Sequence, residues 1–179
     1  MRIYWIVVDG FCFYKTGRQI LILLGIDPGI SGGLAVVSTA MSCRRYLPYV
    51  VDGIRMPSFK QGKHRLVDVR KINDWLPGVV DQVVVEKVTS YGMGLATAFA
   101  FGKSTGSAEA VAQLHCQRIE WVTPAVWKKH FQLSKDKQAS LDACHKKFGD
   151  SFHWTKKADD GVAEAALLCQ WFLDKKTNL

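Results

Sequence analysis

The stretch Leu23-Leu24-Gly25-Ile26-Asp27-Pro28-Gly29 ends an apolar run on a carboxylate and then turns sharply. Ile20 to Ile26 reads as a buried β-strand. Asp, Pro and Gly each favour a turn, so Asp27 is also accounted for as a turn former. A second acid has the same setting: Gln82 to Val88 is a β-branched run, the pattern of a central strand covered on both faces, and Glu86 closes Val83-Val84-Val85. Pairing with Lys87 or a nearby arginine is the plainer reading of Glu86. A third acidic group, Asp159-Asp160-Gly161-Val162-Ala163-Glu164, opens an apolar helix running from Gly161 to Leu173. Asp159 and Asp160 suit a helix start, where the helix dipole favours negative charge. Glu164, among Ala163, Ala165, Ala166, Leu167 and Leu168, has no such explanation.

Carboxylates at the ends of buried elements need a compensating positive charge. A pair of divalent cations held by hard oxygen ligands supplies that charge together with chemistry. Residues four apart on a helix lie about 40° from register, so Asp160 and Glu164 converge on one face. Asp159, five back, lies about 140° away and joins them only if it precedes the first helical turn. Geometry prefers Asp160, with Asp159 retained as the alternative.

Beyond these acids, Ser31-Gly32-Gly33 turns into a strand at Leu34 to Val37, and Tyr49 to Arg55 suggests a third. Asp68 to Leu76 has helical periodicity and is stopped by Pro77-Gly78. Gly106 to Cys116 reads as a small-residue helix, a candidate core or dimer face, and Ile119 to Val122 as a strand. Thr123-Pro124 opens a short helix through Trp127 to Phe131, and Ser134 to Phe148 forms another. A hairpin followed by alternating strands and helices predicts an α/β fold, a mixed central sheet flanked by helices. Lys60 to Arg70 is basic, and serves either as solvated surface or as a DNA-facing loop.

The chain has 179 residues, of which 48 % are hydrophobic and 22 % charged, as expected of one folded domain. That domain is placed at 20–179, behind an extension at 1–19. Ile3 to Val8 in the extension reads as an edge strand, a dimer contact or an upstream addition. Lys and Arg outnumber Asp and Glu by 24 to 16, a net charge of +8. Gathering four acids in one site leaves the other surfaces more basic still, which favours a nucleic-acid partner over a membrane. Five cysteines, scattered and without a CxxC pair, imply neither a disulfide framework nor a zinc site, and point to a reducing cytoplasm. No apolar run reaches transmembrane length. Gly102-Lys103-Ser104-Thr105-Gly106 has the wrong order of glycine and lysine for a phosphate-binding loop, so no nucleotide cofactor is expected.

Taken together, Gly25-Ile26-Asp27-Pro28-Gly29, Val83 to Glu86, Phe101 to Gly106, Val122 to Lys129 and Asp159 to Ala165 resemble the RuvC-type Holliday junction resolvases of the RNase H-like superfamily. The likeness runs from about residue 20 to 174, and Trp127-Lys128-Lys129-His130-Phe131-Gln132-Leu133 and Gly161 to Ala165 are closest to phage and plant chloroplast branches. The bacterial enzyme ends in two aspartates three apart, unlike Glu164 and its partner here; chloroplast-type sequences align Asp159 as that partner. The resemblance implies a homodimeric endonuclease that resolves four-way DNA junctions by paired symmetric cleavage, with Mg²⁺ or Mn²⁺. It places the protein in a bacterial or phage-infected cytoplasm, or an organellar matrix. Asp27, Glu86, Asp160 (or Asp159) and Glu164 would hold metal. Lys128 and Lys137 resemble the two basic positions of the bacterial enzyme, and Lys128 would act at the scissile phosphate; surface lysine is the plainer reading of each. Lys129, Lys103 and Tyr91 are further candidate DNA contacts. Tyr91 or Met93, in a glycine-rich segment after Glu86, would wedge at the junction centre, or else Tyr91 covers core. A broader branched-DNA or RNA–DNA hybrid nuclease, and a junction binder without catalysis, are the competing functions.

Overall fold

The computed structural model describes residues 5–8, 11–14, 20–42, 45–62, 64–134 and 136–177, with side chains described at 20–39, 48–62, 64–134 and 136–177. Nine strands are described: β1 (Trp5–Val8), β2 (Phe11–Tyr14), β3 (Ile22–Asp27), β4 (Gly33–Ser42), β5 (Arg45–Arg55), β6 (Ser58–Gln61), β7 (His64–Val67), β8 (Gln82–Glu86) and β9 (Ile119–Val122). Five helices join them: α1 (Val69–Trp75), α2 (Leu95–His115), α3 (Pro124–His130), α4 (Lys137–Phe148) and α5 (Asp160–Thr177). The central sheet has the order β5-β4-β3-β8-β9, antiparallel from β5 to β3 and parallel from β3 to β9. This is the mixed, helix-flanked sheet expected.

Strand alternation decides which face each side chain serves. Leu24 and Ile26 pack with Val83, Val85, Ile72, Ala108, Val111 and Ala112 on the α1–α2 side. Leu23 and Val84 pack instead with Trp127, Leu141 and the apolar side of α5. Asp27 and Glu86 therefore inherit the α5 side by parity. Ile26 is paired with Val85 across parallel strands, so the next residue on each, Asp27 and Glu86, ends side by side.

α5 comes unusually close to the sheet. A methyl group built on Gly25 would lie 1.8 Å from the Ala165 carbonyl oxygen, and one on Gly161 would lie 2.4 Å from the Gly32 carbonyl carbon. Side chains at either position would push the helix away, so glycine sets the depth at which it sits.

The structure corrects several expectations. α2 begins at Leu95, not Gly106, because Ala96, Ala98 and Ala100 carry the helix through the glycines. The Lys60–Arg70 segment is not an open loop: β6 and β7 pair antiparallel around Gly62, whose φ of +61° suits glycine, and α1 follows with Asp68 as its cap. The strand expected at Tyr49 begins earlier, at Arg45. β1 and β2 pair with each other and, among the described residues, add no edge to the central sheet. The proposed boundary between 19 and 20 abuts residues 15–19, which lie outside those described.

Candidate active site

Three elements bring the acids together: the C-terminal ends of β3 and β8, and the N-terminal turns of α5. Parallel strand ends commonly form binding crevices in α/β sheets. The turn after Asp27 closes with Gly32 N–H donating to the Gly29 carbonyl at 2.9 Å, and Gly161 rests against Gly32. This contact seats the start of α5 on the turn after Asp27, with Glu164 near enough for its charge to act on Asp27 and Asp160 one helical turn before it.

Burial pushes the Asp27 carboxyl up to about 8, with the nearby charges of Glu86 and Glu164 adding to the shift; a backbone hydrogen bond from Gly29 and the Lys128 charge oppose it. Glu86, 7 % exposed, is also raised by burial, against a hydrogen bond from the buried Trp127, whose Nε1 donates to Oε1 at 3.0 Å. Glu164 adds to that rise, and Lys128 opposes it.

Lysines answer the other two acids. Lys128 Nζ donates to Glu164 Oε1 at 2.8 Å, and the Ser140 hydroxyl donates to the same oxygen at 3.2 Å. Lys137 pairs with Asp160. Its ammonium pKa is raised, first by the hydrogen bond to Asp160 and, among smaller effects, by the fields of Glu164 and Asp27. Lys137 and Ser140 lie three apart on α4 and so reach Asp160 and Glu164 together. Neither Lys128 nor Lys137 is a solitary surface cation.

Asp159 has a different environment. It ends a single 3₁₀ turn (Lys157–Asp159), is 6 % exposed, accepts from the Lys156 backbone at 3.0 Å, and receives Arg55 Nε at 2.7 Å. The aspartate thereby ties the entry of α5 to the end of β5. Lys129 is exposed on α3 without an ion pair among the described residues. Tyr91 is 97 % exposed, which corrects the reading that it covers core. Lys103 lies on α2 over the Phe99 ring. No hydrogen bond among the described residues joins Tyr91, Lys103 or Lys129 to the acids. Trp127, Ser140 and Arg55 were not picked out by sequence reasoning as site residues. Ser140 follows Lys137 at helical spacing and was legible in principle; the long-range partners of Trp127 and Arg55 were not.

The donor set fits Mg²⁺ or Mn²⁺ in kind, since these ions favour hard carboxylate oxygens. With all four acids ionised, Asp27, Glu86, Asp160 and Glu164 outnumber Lys128 and Lys137 by two charges, the amount one divalent cation would balance. Among the described residues, no three or more His, Cys, Asp or Glu side chains stand close enough together in this arrangement to hold a metal ion.

No protein-family model matches the chain, and no curated protein matches it. Solved structures do. RuvC of Thermus thermophilus in complex with Holliday junction substrate superposes with a TM-score of 0.54 at 13 % identity, covering 88 % of this chain and 98 % of that one. The fold is that of RuvC. A second Thermus thermophilus RuvC structure gives a TM-score of 0.53 at 16 % identity, over 88 % of this chain and 98 % of that one. The RuvC fold is RNase H-like, in agreement with the mixed sheet and its flanking helices.

Proposed function

We propose that this chain is a metal-dependent endonuclease that resolves four-way DNA junctions by paired, symmetric phosphodiester cleavage. The observation carrying this reading is the convergence of Asp27, Glu86, Asp160 and Glu164 at the strand ends of a RuvC fold, with two lysines against them. A pure DNA binder gains nothing from acids gathered beside phosphate. The solved RuvC complex with a Holliday junction supports branched DNA as the partner.

In this reading Asp27, Glu86, Asp160 and Glu164 hold Mg²⁺ or Mn²⁺. Bound divalent cations in such a site supply an activated water and stabilise the leaving oxygen. The chain's own residues position and compensate. Trp127 fixes the Glu86 carboxylate, Ser140 fixes Glu164, and Lys128 and Lys137 offset charge gathering on the phosphate as the transition state forms. Asp160 is taken as the fourth ligand in this reading: both carboxylate oxygens of Asp159 are already used, by Arg55 and by the Lys156 backbone, whereas Asp160 shares only one with Lys137.

The reading includes a two-fold dimer, which sets two sites on opposed strands of a two-fold symmetric junction. Supporting it, Leu95 and Phe99 on α2 are 92 % and 71 % exposed, and Gly102 and Gly106 lie along the same outward stripe. A methyl group on either glycine would meet nothing within the chain.

One substitution series tests the proposal on a labelled synthetic junction with Mg²⁺. Asp27→Asn and Asp160→Asn should each reduce cleavage by at least about 100-fold, the scale of losing a principal electrostatic group, while junction binding is retained. Asp159→Asn should lose no more than about tenfold. Full cleavage by Asp27→Asn would defeat the metal-site reading; a larger loss at Asp159 than at Asp160 would reverse the assignment of the fourth ligand. Equal wild-type rates on a junction, a fork and an RNA–DNA hybrid would show a nuclease without junction preference.

A further inference from the structure

The β6–β7 hairpin and α2 enclose a groove of about 580 Å³ lined by Phe59, Leu66, Asp68, Arg70, Lys103 and Ser107, together with Val67 and Val69. The volume lies within the roughly 300–1,000 Å³ of sites that hold a ligand-sized group. Phe59 and Leu66 are cross-strand partners, which puts both on the groove side of the hairpin. Phe59 is 44 % exposed there. Across from them Lys103 projects from α2, its ammonium 5.7 Å from the centre of the exposed Phe99 ring.

The charge of the groove is positive. Asp68, its one acid, is spent on capping α1, accepting from Lys71 N at 3.2 Å with the Lys71 ammonium 3.7 Å away. Arg70 and Lys103 make no ion pair among the described residues. On the reverse face of the hairpin Lys60 and Arg65 are a further exposed cationic pair.

The hairpin also starts at the rim of the acid cluster. Met56 N–H, one residue beyond Arg55, donates to the carbonyl of Gly32 at 2.9 Å, and Asp68 N–H donates to the Pro57 carbonyl at 2.8 Å, closing the hairpin base. The groove is thus anchored to the same turn that carries Asp27.

We propose that the groove between the β6–β7 hairpin and α2, whose base is tied to the turn after Asp27, binds an unpaired strand of the branched DNA, Arg70 and Lys103 holding phosphates and Phe59 stacking on a base. Cations beside exposed aromatic side chains are what a single strand requires, because its bases are free to stack while its phosphates face the protein. A duplex arm presents phosphates alone and leaves the Phe59–Leu66 surface unused. The proposal rests on branched DNA being the partner of the acid cluster.

The test is fluorescence anisotropy of a labelled oligothymidylate with the full chain in EDTA, where binding is read without cleavage. Phe59→Ala should weaken binding roughly 5- to 100-fold, the range for losing one stacked base. The double variant Arg70→Glu, Lys103→Glu should weaken it further and flatten its salt dependence, as each lost phosphate contact lowers the slope by about 0.7 for single strands. All three residues are solvent-facing, and an unchanged melting temperature confirms that the variants are folded. The proposal is overturned if Phe59→Ala binds the oligonucleotide like the wild type, or if the charge reversals weaken a blunt duplex as much as the single strand. Groove variants that bind normally would sink this proposal and leave the nuclease reading standing. A wild type that cleaves no junction, but loses oligonucleotide binding on Phe59→Ala, would do the opposite.

Discussion

Among single residues, Asp27 is held in the costliest electrostatic position described. Its carboxyl is raised from 3.8 to about 8, chiefly by burial and then by Glu86 and Glu164. A folded carboxyl that keeps its proton better than the unfolded one stabilises the fold at low pH. That stability is lost as pH rises from the unfolded value of about 4 through the folded value of about 8. Without divalent cation, Asp27→Asn should therefore match the wild type near pH 4 and melt several degrees higher above pH 8. Added Mg²⁺ should narrow the gap by stabilising the wild type. Melting curves across pH, with EDTA or Mg²⁺, check both statements, and a gap independent of pH would contradict the ionisation of a buried Asp27 as its cause. Asp27, Glu86 and Glu164 could be picked from the sequence because each is an acid in an apolar frame. The separate roles of Asp159 and Asp160 could not: neighbours in sequence, they are divided by Arg55, which lies 104 residues from Asp159.

Among the secondary-structure elements, the site depends on how deeply α5 sits. Gly25 lets the Ala165 carbonyl approach β3, so Gly25→Ala forces backbone to move rather than a flexible side chain. It should cost about 3 kcal/mol, at the upper end of ordinary overpacking, and displace Asp160 and Glu164 from Asp27. Gly78→Ala, where a methyl group meets nothing, is the control and should stay within about 0.5 kcal/mol of wild type. Denaturant unfolding measures both; equal stability of the two variants would show that α5 is not seated on glycine. The strands of the central sheet were legible because β-branched runs and period-two alternation mark them. The β6–β7 hairpin was hidden, since its exposed strands, Ser58–Gln61 and His64–Val67, carry too few apolar residues to show a period. The early start of α2 was hidden for a related reason: glycines at 102 and 106 resemble breaks unless the alanines before them are weighed.

For the protein as an assembly, the proposed dimer would be what turns one nick into a resolved junction. Replacing Gly102 and Gly106 by leucine should abolish it, because the added side chains project where the proposed partner helix lies. The same changes improve helix propensity by up to about 1 kcal/mol each, so the monomer should be no less stable. Analytical ultracentrifugation reads the outcome: a wild-type dimer with a monomeric, fully folded variant is expected, and a variant that stays dimeric would move the interface off α2. No helix among the described residues is long and apolar enough to cross a membrane. The contact of α5 with the sheet also bears on how such a protein changes over time. Where helix meets strand main chain to main chain, the spacing of the acids is set by peptide geometry and not by the sizes of surrounding side chains. Exchanges of leucine for valine or isoleucine in the apolar core then cost stability but leave the acid spacing in place. A chain built this way can drift far in sequence and keep both its fold and its chemistry, provided a handful of glycines stay small.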